Sequence, residues 1–156
     1  MLKIQTWTEN KILRKISESI KTSEFNTYIK IGREMIKYIK NPENRWVWLA
    51  APQIWYNKRL IVVSLLKTRE DESFQTLMMI NPEIIEKSDE TEYENEWCLS
   101  VPGKKWEVER FSNIKLKFID ENKKERILIL SWVSARIVQH EIDHLNWVLF
   151  IDKIKK

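Results

Sequence analysis

The chain contains very little of three things: cysteine, glycine and continuous apolar sequence. Cys98 is the only cysteine among 156 residues, so no disulfide can form within the chain and we expect a reducing compartment, the cytoplasm. No apolar run reaches membrane-spanning length, and residues 1–6 lack the apolar core of a signal peptide. These absences argue against disulfide-stapled and membrane-spanning proteins, and the length predicts a single domain over residues 1–156.

The charge pattern argues against a dedicated nucleic-acid binder. The net charge is +4, but lysine and glutamate are interspersed, and only the tail 153–156 is a basic cluster. A nucleic-acid interface requires basic residues gathered on one face. We therefore expect no specific nucleic-acid recognition, and at most a weak electrostatic association with an anionic body such as the ribosome.

A first helix is predicted over residues 23–40, where apolar residues recur at helical spacing. Asn41 and Pro42 end this helix, because the residue before a proline avoids the helical region. The apolar stripe that would face a core consists of Phe25, Tyr28, Ile29, Ile36 and Ile39.

Four β-rich runs and a second helix follow. The runs cover residues 60–64, 76–80, 113–118 and 126–130, and the third alternates apolar with polar residues, as a strand with one wet face does. Residues 120–124 form a polar turn between the last two runs. Ser131 is placed to cap the final helix. This order predicts an α+β fold with largely antiparallel sheets between an N-terminal and a C-terminal helix.

Both histidines of the chain lie in the C-terminal helix, in an H-E-x-x-H motif within residues 139–144. On a helix, His140 and His144 are one turn apart on the same face, so their imidazoles can hold one transition metal. Glu141 beside them can act as general acid or base on an activated water. The alternative interpretation is a pair of core or solvated histidines.

A catalytic site of this kind needs a third protein ligand. Asp152 is the only carboxylate after His144, which favours an upstream ligand. Cys98 is the one soft ligand in the chain, and its thiolate suits Fe(II), Zn or Ni. In isolation, however, a lone cysteine is more often a small buried hydrophobe.

Three segments together resemble peptide deformylase, the metalloenzyme family that removes the formyl group from the N-terminal formyl-methionine of new bacterial proteins. The family motifs G-x-G-x-A-A-x-Q, E-G-C-L-S and Q-H-E-x-D-H correspond to residues 46–53, 96–100 and 139–144. The order and spacing match over nearly the whole chain. Three linked motifs are far more specific than H-E-x-x-H alone.

The resemblance implies a set of chemical roles. Glu141 would move a proton from the activated water to the leaving amine. The side chain of Gln53 and the backbone N–H of Leu99 would stabilise the oxyanion formed at the formyl carbon. One divalent metal, Fe(II) before Zn, Ni or Co, would be held by Cys98, His140 and His144.

The same resemblance implies a groove for N-formylmethionyl nascent peptides. Val47 and the backbone of Trp48 would flank the peptide. The methionine pocket would be lined by Val133, Arg136 and Ile137. Glu96 and Arg110 would pair and brace the cysteine loop, and the alternative for this pair is an ordinary surface salt bridge. Two alternatives stay open, namely an H-E-x-x-H metallopeptidase and an inactive deformylase-like paralogue that still binds metal.

The chain departs from the family at its glycines. It has 8 tryptophans and 2 glycines, and each tryptophan falls where relatives carry glycine always or commonly. We hypothesise that the source genome reads UGA as glycine and that the written sequence decodes UGA as tryptophan. The alternative is a decayed paralogue with genuine tryptophans. The positions are Trp7, Trp46, Trp48, Trp55, Trp97, Trp106, Trp132 and Trp147.

Overall fold

Two helices and two antiparallel sheets form the part of the chain that the structure describes. In this computed structural model those residues are 2–44, 46–66 and 74–154. The helices are α1 (Phe25–Lys40) and α2 (Trp132–Leu145). The strands are β1 (Trp48–Ala50), β2 (Leu60–Leu66), β3 (Phe74–Lys87), β4 (Thr91–Cys98), β5 (Val101–Phe111), β6 (Asn113–Ile119) and β7 (Glu125–Ser131).

The larger sheet has five strands in the order β1-β2-β3-β6-β7, and β4 and β5 form a separate hairpin. Every neighbouring pair is antiparallel. Along β6, buried and half-buried residues alternate without a break, as the polar and apolar pattern of 113–118 predicts. The predicted α+β class with antiparallel sheets is confirmed.

Strand β2 is buried on both faces, and this fixes where the helices lie. Its side chains alternate between two clusters: Ile61 and Val63 pack with Val138 of α2, whereas Leu60 and Val62 pack with the α1 side. A strand covered on both faces reads as an unbroken apolar run, which explains residues 60–63. The sheet therefore lies between the two helices, and α2 carries its motif against the sheet.

The predicted first helix is confirmed, with one shift in its buried stripe. It begins at Phe25 and ends at Lys40, just before Asn41 and Pro42. Met35 is fully buried, whereas Tyr28 and Ile36, which were predicted to face the core, are only partly buried. A helix repeats every 3.6 residues, so either Met35 or Ile36 can lie on the buried face of α1. The shapes of the two side chains decide which of them is fully buried.

The C-terminal helix and the hairpin differ from expectation in detail. Ser131 occupies the N-cap position of α2 with extended backbone, but its side chain makes no capping hydrogen bond. The β4-β5 hairpin was not predicted, because most of its side chains are exposed on both faces and show no apolar alternation. Among the described residues, no helix is long and apolar enough to cross a membrane.

Candidate metal centre and adjoining cleft

Helix α2 and the end of β4 bring three metal-binding side chains together. His140 and His144 lie one turn apart with ring centroids separated by 5.1 Å, and both are buried. Cys98, the last residue of β4, places its Sγ 3.2 Å from Nε2 of His144. One ligand atom from each residue lies within 4.8 Å of the others, and within the described residues no other group meets this criterion.

The unsatisfied atoms of these residues fit a metal ion. Nδ1 of His140 lies 2.9 Å from Oε2 of Glu96, whereas its buried Nε2 has no hydrogen-bond partner among the described residues. A carboxylate on one ring nitrogen fixes the tautomer and leaves the other nitrogen as a metal ligand. One thiolate and two imidazoles form a donor set that suits Zn or a divalent ion such as Fe(II), Ni or Co.

Glu141 is the acid-base candidate, and it is shielded from solvent beside the metal ligands. Its side chain is fully buried, and neither carboxylate oxygen has a hydrogen-bond partner within the described part of the chain. Oε1 lies 3.9 Å from Nε2 of His140. Burial, reinforced by the charge of Glu96, raises the pKa of the Glu141 carboxyl well above its usual value. A carboxyl group with a raised pKa is suited to exchange protons near neutral pH.

The protonation states of the other two groups follow from their burial. Burial, together with the neighbouring Glu141, raises the pKa of the Cys98 thiol to about 12. Burial, together with the charges of His140 and Arg110, lowers the pKa of His144 well below its usual value. Without metal, both groups are therefore neutral at pH 7. Metal binding must release the thiol proton, so loading depends on pH.

Glu96 is the central polar residue behind the metal ligands. Arg110 donates two hydrogen bonds of 2.8 Å to its carboxylate, and Arg136 donates one of 2.9 Å. Arg110 also pairs with Asp143 of the motif. Burial alone would raise the pKa of Glu96, but the hydrogen bonds from Arg110 and His140 outweigh burial and hold this pKa far below its usual value. Glu96 is thus ionised and holds His140 in place.

Gln53 reaches the cysteine loop from a 3-10 turn at Ala51–Ile54. Its Oε1 accepts a hydrogen bond of 2.8 Å from the backbone N–H of Ala50, which fixes the amide orientation. Its Nε2 then points to Cys98 and Ser100, 3.5 Å from Sγ and 3.1 Å from Oγ. Leu99, between these two residues, is half-buried against the α1 cluster. The buried amide therefore presents its donor nitrogen beside the predicted metal ligands.

A cleft of about 660 Å³ opens beside this centre. The predicted substrate-binding residues that line it are Trp48, Val133, Arg136 and Ile137, and the metal-ligand candidate His140 also lines it. Val47 is not among the lining residues, and its carbonyl instead accepts a hydrogen bond of 2.7 Å from the backbone of Ser64. The guanidinium of Arg136 is fixed in the wall of the cleft, because it also donates hydrogen bonds to the backbone carbonyls of Glu92 and Val108.

Sequence reasoning missed three contributors to the centre. Ser100 accepts the Gln53 amide, and its backbone N–H donates to Sγ of Cys98 at 3.4 Å. Asp143, inside the H-E-x-x-H segment, is the second partner of Arg110. Phe150 stacks on His140 with ring centroids 6.1 Å apart. Ser100 and Asp143 lie in the quoted motifs, whereas no local signal points to Phe150.

The chain is similar to proteins of one family. The polypeptide deformylase family profile matches residues 1–156. A peptide deformylase of Prochlorococcus marinus (strain MIT 9312) is 39% identical over 145 residues, which cover 93% of this chain and 66% of that protein. The chain thus spans slightly less than two thirds of that relative's length.

Solved structures show the same similarity over the whole length. A probable peptide deformylase from Synechococcus phage S-SSM7 superposes with a TM-score of 0.86 at 36% identity, covering 99% of this chain and 100% of that one. A class I type b peptide deformylase from Acinetobacter baumannii, crystallised with Met-Ala-Ser, gives a TM-score of 0.87 at 32% identity, covering 99% and 98%.

Proposed function

The chain belongs to the polypeptide deformylase family, and from this membership we propose that it removes the formyl group from the N-terminal formyl-methionine of newly made proteins. The observation that carries the proposal is the buried trio Cys98, His140 and His144, with ligand atoms within 4.8 Å, beside the fully buried Glu141. Only three protein ligands are gathered among the described residues, which leaves a coordination position open, as catalysis requires.

The cofactor of this reaction is one divalent metal ion, and we propose Fe(II) as the physiological one. Cys98, His140 and His144 hold the ion, because a thiolate with two imidazoles is a donor set for Fe(II), and Zn, Ni and Co can replace it. When bound, the ion lowers the pKa of a water molecule so that hydroxide is present near neutral pH.

The residues around the trio supply the remaining chemistry. Glu141 takes the proton of the attacking water and passes it to the leaving amine, for which its raised pKa is suited. The fixed Nε2 of Gln53 and the backbone N–H of Leu99 donate to the oxyanion that develops at the formyl carbon. Fixed donors in a dry enclosure need no reorganisation during the reaction, which is why they stabilise the charge effectively.

The peptide lies in the cleft with its methionine side chain against Val133, Ile137 and the aliphatic part of Arg136. Strand β1 is at the edge of the sheet and pairs with β2 on one side only, so an extended peptide can pair with the backbone of Trp48 and run past Val47, whose carbonyl is already bonded to Ser64. The relative crystallised with Met-Ala-Ser supports a peptide occupant of this cleft. We place the reaction in the cytoplasm, with no more than weak ribosome contact.

The test measures formate release from a formyl-Met peptide by the Fe(II)-loaded protein under anaerobic conditions. The chain as written is assayed beside a chain with all eight tryptophans changed to glycine. Glu141→Gln should lower kcat by about 10²–10⁴-fold while metal content is unchanged. Glu125→Gln, the same chemical change at an exposed strand end, should have no effect.

The alternatives predict different products. A metallopeptidase would cleave internal peptide bonds of unformylated peptides without releasing formate. An inactive paralogue would bind the metal and release nothing. If neither the written chain nor the glycine chain releases formate while both are folded and metal-loaded, the deformylase proposal is refuted.

A further inference from the structure

The backbone is left-handed at half of the tryptophans. The φ angles are 76° at Trp7, 76° at Trp55, 55° at Trp132 and 62° at Trp147. Among all other non-glycine residues that the structure describes, only Asn81 and Lys123 have positive φ. Side chains with a Cβ avoid this region, and a bulky aromatic residue there is an outlier, whereas glycine adopts it freely.

Two of these positions end helical turns in a way that favours glycine. After α2, the N–H of Val148 bonds to the carbonyl of Asp143 at 3.0 Å, across the left-handed Trp147. After the Ala51–Ile54 turn, the N–H groups of Tyr56 and Trp55 bond back to Ala51 at 3.0 Å and Pro52 at 3.2 Å. These bonds match the Schellman motif, whose left-handed residue is most often glycine.

Most of the indole rings are exposed, although Lys105 lies over the ring of Trp97 and Lys104 over the ring of Trp106. Six of the eight are exposed: Trp7, Trp55, Trp97, Trp106, Trp132 and Trp147. The other two, Trp46 and Trp48, are half-buried, and each has a buried Nε1 with no hydrogen-bond partner among the described residues. A tryptophan usually contributes through a large buried area and a paired N–H. None of the eight is a buried core residue in this fold.

Gly103 shows that this fold places glycine at a left-handed backbone position, since its φ is 73°. At Gly32, by contrast, a Cβ would meet the flexible end of the Met78 side chain, 2.5 Å from Cε. The backbone reason that favours glycine at position 103 applies equally at four tryptophans. We infer that the polypeptide made in the source organism has glycine at all eight tryptophan positions, because its ribosomes read UGA as glycine. The inference rests on backbone geometry at four positions and on the family glycine pattern at the other four, and it is independent of the proposed activity.

Glycine in place of tryptophan changes the structure most in the cleft. Trp48, Trp97 and Trp132 all line it. Glycine at these positions removes three indole rings from the walls, which lets a peptide come closer to the backbone of the cleft. An extended peptide bound by main-chain hydrogen bonds needs such close approach. A polypeptide with glycine at these positions therefore has a wider cleft than the tryptophan-bearing chain.

The decisive measurement is tandem mass spectrometry of the protein purified from its source, together with the codons of its gene. Glycine at residues 46, 48 and 55, each encoded by UGA, is the expected result. Tryptophan in these peptides, or UGG codons at these positions, would overturn the inference. The readout does not depend on catalysis, so failure of the activity assay and failure of this inference are distinguishable.

A stability comparison tests the backbone argument separately. Trp55→Gly removes an exposed side chain at φ 76° and should raise the melting temperature by about 2–4 °C. Phe74→Gly is the matched control, because Phe74 is a similarly exposed aromatic residue in a strand, and it should lower the melting temperature. A lower melting temperature for both variants would contradict the argument that position 55 is built for glycine.

Discussion

Replacement of Glu96 by glutamine should destabilise the protein far more than its small change in shape suggests. Oε1 of Glu96 accepts hydrogen bonds from Arg110 and Arg136, and Oε2 accepts hydrogen bonds from Arg110 and His140. Whichever way the amide of the introduced glutamine turns, its NH₂ group faces two donors, so two charge-assisted hydrogen bonds are lost. At about 1.5–3 kcal/mol each, the expected loss is about 3–6 kcal/mol. A loss of about 3–5 kcal/mol is typical when one partner of a buried ion pair is removed.

The assay is urea unfolding of the metal-free protein at pH 7, with Glu86→Gln as the matched control. Glu86 also pairs with a lysine, Lys115 at 2.7 Å, but its side chain is 67% exposed, so its replacement should cost at most about 1 kcal/mol. If the free energies of unfolding of the two variants fall by the same amount, the argument that Glu96 organises the centre is wrong. The metal affinity of Glu96→Gln should fall about 10–100-fold, because His140 loses its orienting carboxylate.

The pH dependence of the free energy of unfolding provides an independent test of the ionisation of Glu96. The pKa of Glu96 is lowered in the folded state from an ordinary value of 4.5. A group with a lowered folded pKa stabilises the protein fully above its unfolded pKa, and this stabilisation is lost as the pH falls through the folded value. Below pH 4.5 the native protein should therefore lose stability with a slope that Glu96→Gln reduces. Equal acid slopes for the two proteins would refute the ionised state of Glu96.

Two further predictions concern the neighbours of Glu96. In the metal-free protein, the thiol pKa of Cys98 is about 12 against an ordinary 9.0, so iodoacetamide at pH 8 should alkylate it roughly a thousandfold more slowly than a free thiol; a rate equal to that of the urea-unfolded chain would contradict this. Gln53→Leu should reduce kcat about 10²–10³-fold through loss of an oxyanion donor, with metal content unchanged by elemental analysis; an unchanged kcat would exclude Gln53 from that role.

The parts of the fold that could be predicted are those in which local sequence carries the signal. Helix α1, strand β6 and the turn at 120–124 follow from spacing and turn residues alone. The β4-β5 hairpin could not be predicted in this way, because its side chains are largely exposed and alternate poorly. The position of this hairpin depends on the contacts of Glu96 and Cys98 with α2, and such tertiary contacts leave no local signal in the sequence.

The metal centre likewise has a part that local sequence predicts and a part that depends on tertiary contacts. The helical spacing of His140 and His144 was readable from sequence, and the structure brings Cys98 to 3.2 Å from His144. The resemblance also implied the pair of Glu96 and Arg110, whereas the second partner of Arg110, Asp143, is the part that required the fold. Charged residues are abundant in this chain, and only burial distinguishes these three from ordinary surface ions.

The metal centre combines residues of a strand and a helix, whose side chains repeat with different periods. This difference restricts which insertions and deletions the sequence tolerates. Glu96 and Cys98 are two apart on β4, so both face α2, whereas His140 and His144 are four apart and share one helical face. Deleting one residue between the members of either pair would turn one of the two side chains away from the metal centre. The chain between Cys98 and His140 also carries Arg110, which pairs with Glu96 and Asp143, but its turn at 120–124 lies outside the centre. Insertions and deletions should therefore accumulate in this turn and be absent from the two short pairs.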